Sequence, residues 1–204
     1  MTESMMSVIN IHGDKFIPGN VGRLSPNMQL KIVDLKTGKS LGPNQDGEMY
    51  LRGPLMFKGY LNNPSETANT IDSDGWFHTG DVAHYNEDGY LFITDRIKEL
   101  IKYQFYSIYP TEIEACLLEH DAISEAAVVG VRHEVDGAWP RAYIKVKQGR
   151  QVSAHDIHKY LRQNMAEWKK VRAGIVFVDQ IPKTIFGKSD REYFKNLVKD
   201  EVIS

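Results

Sequence analysis

The sequence predicts an α+β protein in which a strand-rich first half precedes a smaller domain of strands and helices. Before about residue 95, short runs of alternating apolar and polar residues are separated by turn-forming stretches, a pattern typical of half-buried strands. After Arg96, apolar stripes at helical spacing alternate with strand-like runs, which favours one sheet packed by helices. We therefore expect a domain boundary between residues 1–96 and residues 97–204.

The strands of the first half are indicated by alternation and by the turns that join them. The runs MQLKIVD (28–34) and GEMYLRG (47–53) alternate apolar and polar residues across a turn-rich connection. An Asp-Gly pair directly precedes Trp76, and another directly precedes Tyr90; such pairs are typical of hairpin turns. The predicted strand YLFIT begins at Tyr90. Ser65 is placed to cap a short helix between these strands.

Three helices of the second half are predicted from a hydroxyl residue followed three positions later by an acidic residue, which resembles a capping box. An apolar stripe at helical spacing follows each of these pairs, and the strand-like runs EAAVVGV, RAYIKVK and GIVFVD lie among them. The capping pairs are Thr111 with Glu114, Ser153 with Asp156, and Ser189 with Glu192; the stripes are Ile113, Cys116 and Leu117, then Ile157, Tyr160 and Leu161, then Phe194, Leu197 and Val198.

Length, charge and cysteine content indicate which partners and which cellular compartment to expect. A chain of 204 residues suffices for one large or two small domains, and its net charge of −2 gives no electrostatic reason to bind nucleic acid or an anionic membrane. The single cysteine, Cys116, cannot form an internal disulfide, which fits a reducing compartment. No apolar run approaches the roughly 20 residues of a membrane span. We expect an intracellular protein, cytoplasmic or peroxisomal, although the terminal DEVIS is not a Ser-Lys-Leu signal.

Three segments carry more polar chemistry than folding requires. In GWFHTGD, Asp81 follows a Thr-Gly turn, and such a carboxylate is able to accept both hydroxyls of a ribose. In TDRIKELIK, the multi-donor Arg96 precedes Lys98 and Lys102, which are four residues apart. In IPKTIFGKSDRE, Lys188 lies on a loop before a predicted helix, where a lysine serves as a movable charge for an oxyanion or phosphate. Each segment alone is more often an ordinary turn or an exposed lysine.

Together, in this order and spacing, these segments resemble the adenylate-forming superfamily. The stretches GWFHTGDVAHYNEDGYLFITDRIKELIKY, YPTEIEACLLEH and KKVRAGIVFVDQIPKTIFGKSDRE are most similar to the branch of acyl-CoA synthetases, 4-coumarate-CoA ligases and beetle luciferases. The resemblance runs from residue 2 to about residue 198. It implies that residues 1–96 are the end of a large AMP-binding domain, a β-barrel-like subdomain, and that residues 97–204 are the family's mobile C-terminal domain.

The first residues, MTES, resemble the second half of the family's Tyr-Gly-x-Thr-Glu motif. We therefore expect the chain to be the last part of a longer enzyme whose glycine-rich phosphate loop and acid-binding pocket lie elsewhere. An alternative is a non-catalytic short isoform or remnant that acts at most as a binding module. Neither the acid substrate nor a luciferase-type oxidation is predictable from these residues.

The resemblance implies a role for each matching residue in an ATP-dependent acid ligase. Its substrates are a small carboxylic acid, ATP and coenzyme A. The implied assignments place the α-phosphate at Thr2, Mg²⁺ at Glu3, the ribose hydroxyls at Asp81 and Arg96, the hinge at Lys98, the adenylation lysine at Lys188 and the coenzyme A step at Lys102 and the loop after it.

Phe105 departs from the family pattern. The family usually has glycine at this position of KYQFYSIYP, where the backbone approaches the pantetheine arm of coenzyme A. A phenylalanine adds a ring and disfavours a positive φ. We therefore expect the thioester step to be impaired, unless the loop shifts and the ring packs against Tyr106 or Tyr109.

Overall fold

The computed structural model describes residues 1–10, 17–185 and 187–204, which form two compact units. Unit 1 comprises Met1–Lys98 and unit 2 comprises Glu99–Ser204. The predicted α+β class is confirmed, because sheets and helices occur together and most helices fall in unit 2. Within the described ranges, no helix is long and apolar enough to cross a membrane.

Unit 1 contains an antiparallel sheet with the strand order β1-β2-β6-β5-β4-β3. The runs predicted at 28–34 and 47–53 are confirmed as β3 and β4, and the predicted run YLFIT lies in β6 except for Tyr90, which precedes the strand. The strands are β1 Val8–Ile9, β2 Asn20–Leu24, β3 Gln29–Val33, β4 Gly47–Arg52, β5 Phe77–Tyr85 and β6 Leu91–Arg96.

Alternation along β4 explains the core of unit 1. Met49 and Leu51 point inward and pack with Ile32 of β3, whereas the residues between them are half-buried. Gly47 starts this inward row where β3 and β4 approach closely, since a Cβ at Gly47 would lie 2.5 Å from the carbonyl oxygen of Val33. The residues of β4 alternate in the sequence because every second side chain lies on the one buried face of the sheet.

Both predicted Asp-Gly turns are confirmed. The Asp72 N–H donates to the Trp76 carbonyl (2.9 Å), and the Asn86 N–H donates to the Tyr90 carbonyl (3.0 Å) across the β5–β6 connection. Helix α1, Pro64–Thr70, is also present, but the prediction that Ser65 caps it is wrong. Asn63 is the cap, because proline at the first helical position fixes the start two residues earlier than predicted.

Unit 2 is built on a second sheet with the order β12-β9-β10-β7-β8, and β11 pairs in parallel with β10. A 3-10 turn at Ile97–Glu99 precedes it. The remaining elements are β7 Ile101–Tyr103, β8 Tyr106–Ile108, α2 Pro110–Leu118, β9 Ile123–His133, β10 Gly137–Val146, α3 Ala154–Asn164, a 3-10 turn at Glu167–Lys169, β11 Ile175–Phe177, α4 Arg191–Leu197 and β12 Val202–Ile203.

Strand β9 is buried on both faces, which explains its nearly continuous apolar sequence. Val128 and its inward neighbours join a core cluster that includes residues of α2 and α3, namely Ile113, Leu117, Ile157 and Leu161. Val129 belongs to the cluster on the other face, which includes Phe194 and Val198. Successive residues of a strand point to opposite faces, so EAAVVGV supplies both clusters.

The helix starts of unit 2 are only partly as predicted. Ser153 caps α3 in a reciprocal capping box with Asp156, which confirms that prediction. Thr111 does not cap α2, because the helix begins at Pro110. Ser189 does not cap α4, because Asp190 accepts the Tyr193 N–H instead. Leu197 was expected on the buried stripe but is 59% exposed.

Glu114 connects three elements of unit 2. Its carboxylate accepts the backbone N–H of Val128 (2.8 Å) and pairs with the Arg191 guanidinium, whose Nε lies 2.8 Å from Glu114 Oε1. The Glu114 side chain is only 13% exposed. This one carboxylate therefore ties α2 to β9 and to the first residue of α4.

We expect Glu114→Ala to lower the free energy of unfolding of unit 2 by about 3 kcal/mol, because it leaves a largely buried guanidinium and a strand N–H without this acceptor. Urea unfolding followed through amide resonances of unit 2 measures the change. The matched control is Glu112→Ala on the same helix, whose ion pair with Lys169 is more exposed and contributes at most about 1 kcal/mol. Equal losses for both variants would contradict the connecting role of Glu114.

Candidate functional site

In unit 1, the structure brings Asp81 and Arg96 together. They are register partners on β5 and β6, and Arg96 Nε lies 2.8 Å from Asp81 Oδ1. The Asp81 side chain is 9% exposed and the Arg96 side chain is 54% exposed. The carboxylate is therefore fixed within the sheet, while the guanidinium retains donors that face solvent.

The Thr-Gly-Asp segment is an irregularity inside a strand, whereas the sequence predicted a turn after a strand. Gly80 has φ +68 within β5, a conformation that glycine adopts without strain. Thr79 Oγ1 donates to the Met49 carbonyl (2.8 Å) and accepts the Asp81 N–H (3.1 Å). These bonds hold the carboxylate of Asp81 on a stiff backbone.

Glu48 supports the same segment and was missed in the sequence. Its Oε1 accepts the Gly80 N–H (3.3 Å), and burial raises the pKa of this carboxyl group above its usual value. The available signal was an acidic residue at a polar position of the alternating strand segment GEMYLR. Glu48 thus supplies an acceptor for the backbone beside Asp81.

A ladder of side chains crosses the sheet next to this segment. Lys31, Tyr50 and His78 are successive register partners on β3, β4 and β5. The rings of Tyr50 and His78 stack with centroids 4.0 Å apart, and Lys31 Nζ lies 4.3 Å from the centroid of the Trp76 ring. Cross-strand pairs of this kind stabilise a sheet, so the ladder stiffens the strand that carries Asp81.

Glu3 is held in unit 1 by contacts with the segment around residues 57–60. Its Oε1 accepts the Tyr60 hydroxyl (3.1 Å), and its carbonyl accepts the Phe57 N–H (2.8 Å). Thr2 lies exposed in the same turn. Among the residues that the structure describes, no group of three or more His, Cys, Asp or Glu side chains could hold a metal ion. A metal at Glu3 would therefore need further ligands, and Mg²⁺ commonly combines one or two carboxylates with substrate phosphates.

In unit 2, Lys188 lies near the tip of a short hairpin. Lys183 and Ser189 form an isolated antiparallel bridge, and the Thr184 N–H donates to the Lys188 carbonyl (2.8 Å). Gly187 has φ +79 and lies beside Lys188, which is exposed. The sequence expectation of a lysine on a loop before a helix agrees with this placement, although Phe186 lies outside the described residues.

The stem of this hairpin is attached to the sheet through Glu125 of β9. Glu125 pairs with Lys183 and also with Lys145, whose Nζ lies 2.9 Å from Oε1. Lys183 Nζ donates onward to Ser189 Oγ (3.3 Å). Bonds from Lys183 and then Lys145 lower the pKa of Glu125, so this carboxylate stays ionised at neutral pH.

Lys102 lies on β7, and Phe105 lies in the two-residue turn between β7 and β8. The positive φ of this turn falls on Gln104 (φ 50) and not on Phe105, which corrects the expected backbone conflict. Phe105 is 87% exposed, so its bulk is directed away from the core. Its possible effect on a ligand is therefore steric and does not come from backbone strain.

Aromatic and basic side chains surround this hairpin. Tyr106 stacks on Trp168 with ring centroids 5.0 Å apart, and the Arg172 guanidinium carbon lies 4.3 Å from the Tyr103 centroid. Lys98 is the last residue of unit 1 and lies in the 3-10 turn, and Glu99 after it pairs with Lys195 at 2.7 Å. This ion pair attaches the beginning of unit 2 to α4.

Models of known protein families match segments in both halves of the chain. The family model described as AMP-binding enzyme matches residues 1–61, and the one described as AMP-binding enzyme C-terminal domain matches residues 112–188. The chain is 39% identical over 202 residues to a luciferin 4-monooxygenase of Nipponoluciola cruciata, covering 99% of this chain and 37% of that protein. It is 43% identical over 181 residues to peroxisomal OPC-8:0-CoA ligase 1 of Arabidopsis thaliana, covering 89% and 32%.

Solved structures give the same result. The crystal structure of ATP-bound MatB from Rhodopseudomonas palustris matches with a TM-score of 0.91 and 30% identity, covering 98% of this chain and 40% of that chain. The o-succinylbenzoate CoA synthetase of Bacillus subtilis, in complex with its acyl-adenylate intermediate, matches with a TM-score of 0.76 and 30% identity, covering 87% and 35%.

The chain spans only about a third of the length of these curated relatives, 37% and 32% in the two cases above. Within that span, the matches extend over both units, and the structural match to an ATP-bound enzyme is close. The chain therefore belongs to the AMP-binding, adenylate-forming enzymes and matches the C-terminal portion of the branch that includes CoA ligases and luciferases.

Proposed function

We propose that the chain is the C-terminal part of an ATP-dependent ligase that converts a carboxylic acid first to an acyl-adenylate and then to a coenzyme A thioester. The observation that carries this proposal is the Asp81–Arg96 pair, a buried carboxylate that holds an exposed guanidinium at 2.8 Å. A carboxylate and an adjacent fork of donors together match the hydrogen-bonding needs of two ribose hydroxyls. In this proposal, residues 1–96 complete the AMP-binding domain and residues 97–204 form the mobile domain.

In the first step, a carboxylate oxygen of the substrate attacks the α-phosphorus of ATP. The bond from that phosphorus to the bridging oxygen breaks, and pyrophosphate leaves. Lys188 extends from an exposed hairpin, so its ammonium group is available to neutralise the charge that builds on the carboxylate and α-phosphate. Thr2 would donate its hydroxyl to the α-phosphate. Glu3 would hold Mg²⁺ together with the phosphates, and this ion supplies further neutralisation of charge.

In the second step, the thiol sulfur of coenzyme A attacks the acyl carbon of the adenylate and releases its proton to solvent. The bond from that carbon to the AMP oxygen breaks, and AMP leaves. We assign the hinge that separates the two steps to Lys98, since hinges use a few residues at element ends. Lys102 and the β7–β8 hairpin then form the surface for the thiol. Lys102 and Lys188 lie on two different hairpins, and this separation is consistent with a role for each lysine in a different step.

A non-catalytic binding module is the second candidate. It is the reading that fits a 204-residue sequence without a glycine-rich phosphate loop. Backbone N–H groups of such a loop normally bind the phosphate oxygens.

We expect the purified chain, mixed with ATP, Mg²⁺ and fatty or aryl acids, to release no pyrophosphate above background, because its sequence contains no such glycine-rich loop. A coupled pyrophosphate assay measures this, with OPC-8:0-CoA ligase 1 and its acid as the positive control. Acid-dependent release by the chain alone would mean that phosphate binding is supplied by residues assigned here to other roles.

Lys188 is tested in a fusion enzyme in which this chain replaces the matched segment of OPC-8:0-CoA ligase 1. We expect Lys188→Ala to slow adenylate formation by about 10²–10³-fold, because a charge aimed at the transition state is removed. Hydrolysis or thiolysis of supplied acyl-adenylate should remain nearly unchanged. Single-turnover pyrophosphate release and thioester formation measure the two steps separately.

The matched control is Lys199→Ala, which removes an exposed lysine of the same unit outside the Lys188 hairpin. It should leave both steps unchanged. Equal losses in both steps for Lys188→Ala would contradict the assigned role, since they would indicate a general effect on unit 2.

In the same fusion enzyme, we expect Phe105→Gly to raise the rate of thioester formation without changing pyrophosphate release. The physical reason is the removal of an exposed ring from the surface assigned to coenzyme A. Phe105→Ala separates the two effects of glycine, because it removes the ring and keeps the turn backbone restricted. An unchanged or reduced thioester rate in both variants would contradict the steric role of Phe105.

A further inference from the structure

We propose that Asp136 is a positioning residue for the thioester-forming step, because it holds the β7–β8 hairpin that carries Lys102 and Phe105. The inference rests on the proposed function of that hairpin. It concerns a residue of the β9–β10 connection, which none of the sequence motifs includes.

Asp136 accepts three hydrogen bonds. The Gln104 N–H donates to the Asp136 carbonyl (2.8 Å), and Gln104 Nε2 donates to Oδ1 of the same residue (2.8 Å). Trp139 Nε1 donates to the other carboxylate oxygen, Oδ2 (2.8 Å). Asp136 thus binds the turn of one hairpin with its backbone and side chain, while its second carboxylate oxygen is held by Trp139 of β10.

The connection that carries Asp136 is itself rigid. His133 Nδ1 accepts the N–H groups of Asp136 (3.0 Å) and Val135 (3.3 Å), and its ring is nearly buried. The same ring stacks on Trp139, with centroids 3.9 Å apart and planes at 17°. Asp136 is therefore held in position by hydrogen bonds to His133 and Trp139, whose rings stack on each other.

The β7–β8 hairpin needs such support at its turn. Gln104 has φ 50, a conformation in which residues other than glycine persist only when neighbouring contacts hold them. On the strand side, Tyr103 pairs with Gly137, where a Cβ would lie 2.7 Å from the carbonyl oxygen of Lys102. The contact of Asp136 with Gln104 and this close approach together set the distance of the hairpin from β10.

The hydrogen bonds to Asp136 are present at neutral pH. Bonds from Gln104 and then Trp139 lower the pKa of Asp136, and the positive charge of Arg172 acts in the same direction. A carboxyl group with a lowered folded-state pKa stabilises the folded state above its unfolded pKa, and this contribution is lost as pH falls through the folded pKa. The indole resonance of Trp139 should report that acid-side transition.

Loss of the carboxylate should affect one step more than the other. The Lys188 hairpin is held by a different network, Glu125 with Lys183, and shares none of the three bonds. A less ordered Gln104 turn displaces Lys102 and Phe105, and small displacements of positioning groups cost much rate. The expected signature is therefore a defect in the use of coenzyme A with normal adenylation.

The first test uses the 204-residue chain. We expect Asp136→Ala to shift the Trp139 indole resonance, because the indole N–H loses its carboxylate acceptor. We also expect it to raise the hydrogen-exchange rate of the Gln104 amide by about tenfold, because the backbone bond to the residue-136 carbonyl remains but loses the support of the Gln104 side-chain bond. Asp136→Asn keeps one acceptor oxygen and should give intermediate values. Glu134→Gln, an exposed acid in the same connection, is the control and should change neither observable. Unchanged exchange at Gln104 in Asp136→Ala would overturn the proposal.

The second test uses the fusion enzyme. We expect Asp136→Ala to raise the KM for coenzyme A or lower thioester formation by about tenfold, with Asp136→Asn intermediate and pyrophosphate release unchanged. Faster exchange at Gln104 with unchanged thioester kinetics would overturn the positioning role, as would equal loss in both steps. If the fusion enzyme with Asp136 forms adenylate but no thioester, the proposed second step fails and the positioning role fails with it, whereas the Gln104–Asp136 bond is still judged by the exchange data.

Discussion

The carboxylate of Glu114 is the interaction on which the arrangement of unit 2 depends. It accepts a backbone N–H of the central strand β9 and pairs with Arg191, the first residue of α4. Arg191 follows Lys188 by three residues. The Glu114 carboxylate therefore also restricts the position of the chain at the end of the Lys188 hairpin. A largely buried carboxylate needs partners of this kind, since an unpaired charge in such a position is strongly destabilising.

A second constraint is the use of β9 as a strand buried on both faces. Helices α2 and α3 cover one face and α4 covers the other, so the strand itself carries little polar chemistry. Polar groups are confined to its two ends, with Glu125 near the start and His133 at the end. Each end supports one hairpin: Glu125 holds the stem below Lys188, and the connection after His133 holds the turn beside Lys102.

Unit 1 places its polar pair by a different principle. Asp81 and Arg96 are register partners on neighbouring strands, so hairpin pairing itself brings the carboxylate and the guanidinium to 2.8 Å. The left-handed conformation of Gly80 and the bonds of Thr79 and Glu48 then fix the backbone beside them. The two side chains thus lie on paired strands, which gives more precise placement than a free loop.

The sequence by itself determined the α+β class, most strands, one reciprocal capping box and the family, because alternation, turn residues and motif spacing are local properties. It also named Asp81, Arg96, Lys102 and Lys188 as candidates. Helix starts at Pro110 and Arg191 were missed by one or two residues, since proline geometry and Asp190 outweighed the hydroxyl signals. Only the tertiary structure decided that Glu48, Glu125 and Asp136 support these segments and that the positive φ falls on Gln104 and not on Phe105. Their bonds join residues far apart in the chain, and no local pattern encodes which strand or hairpin lies opposite a given side chain.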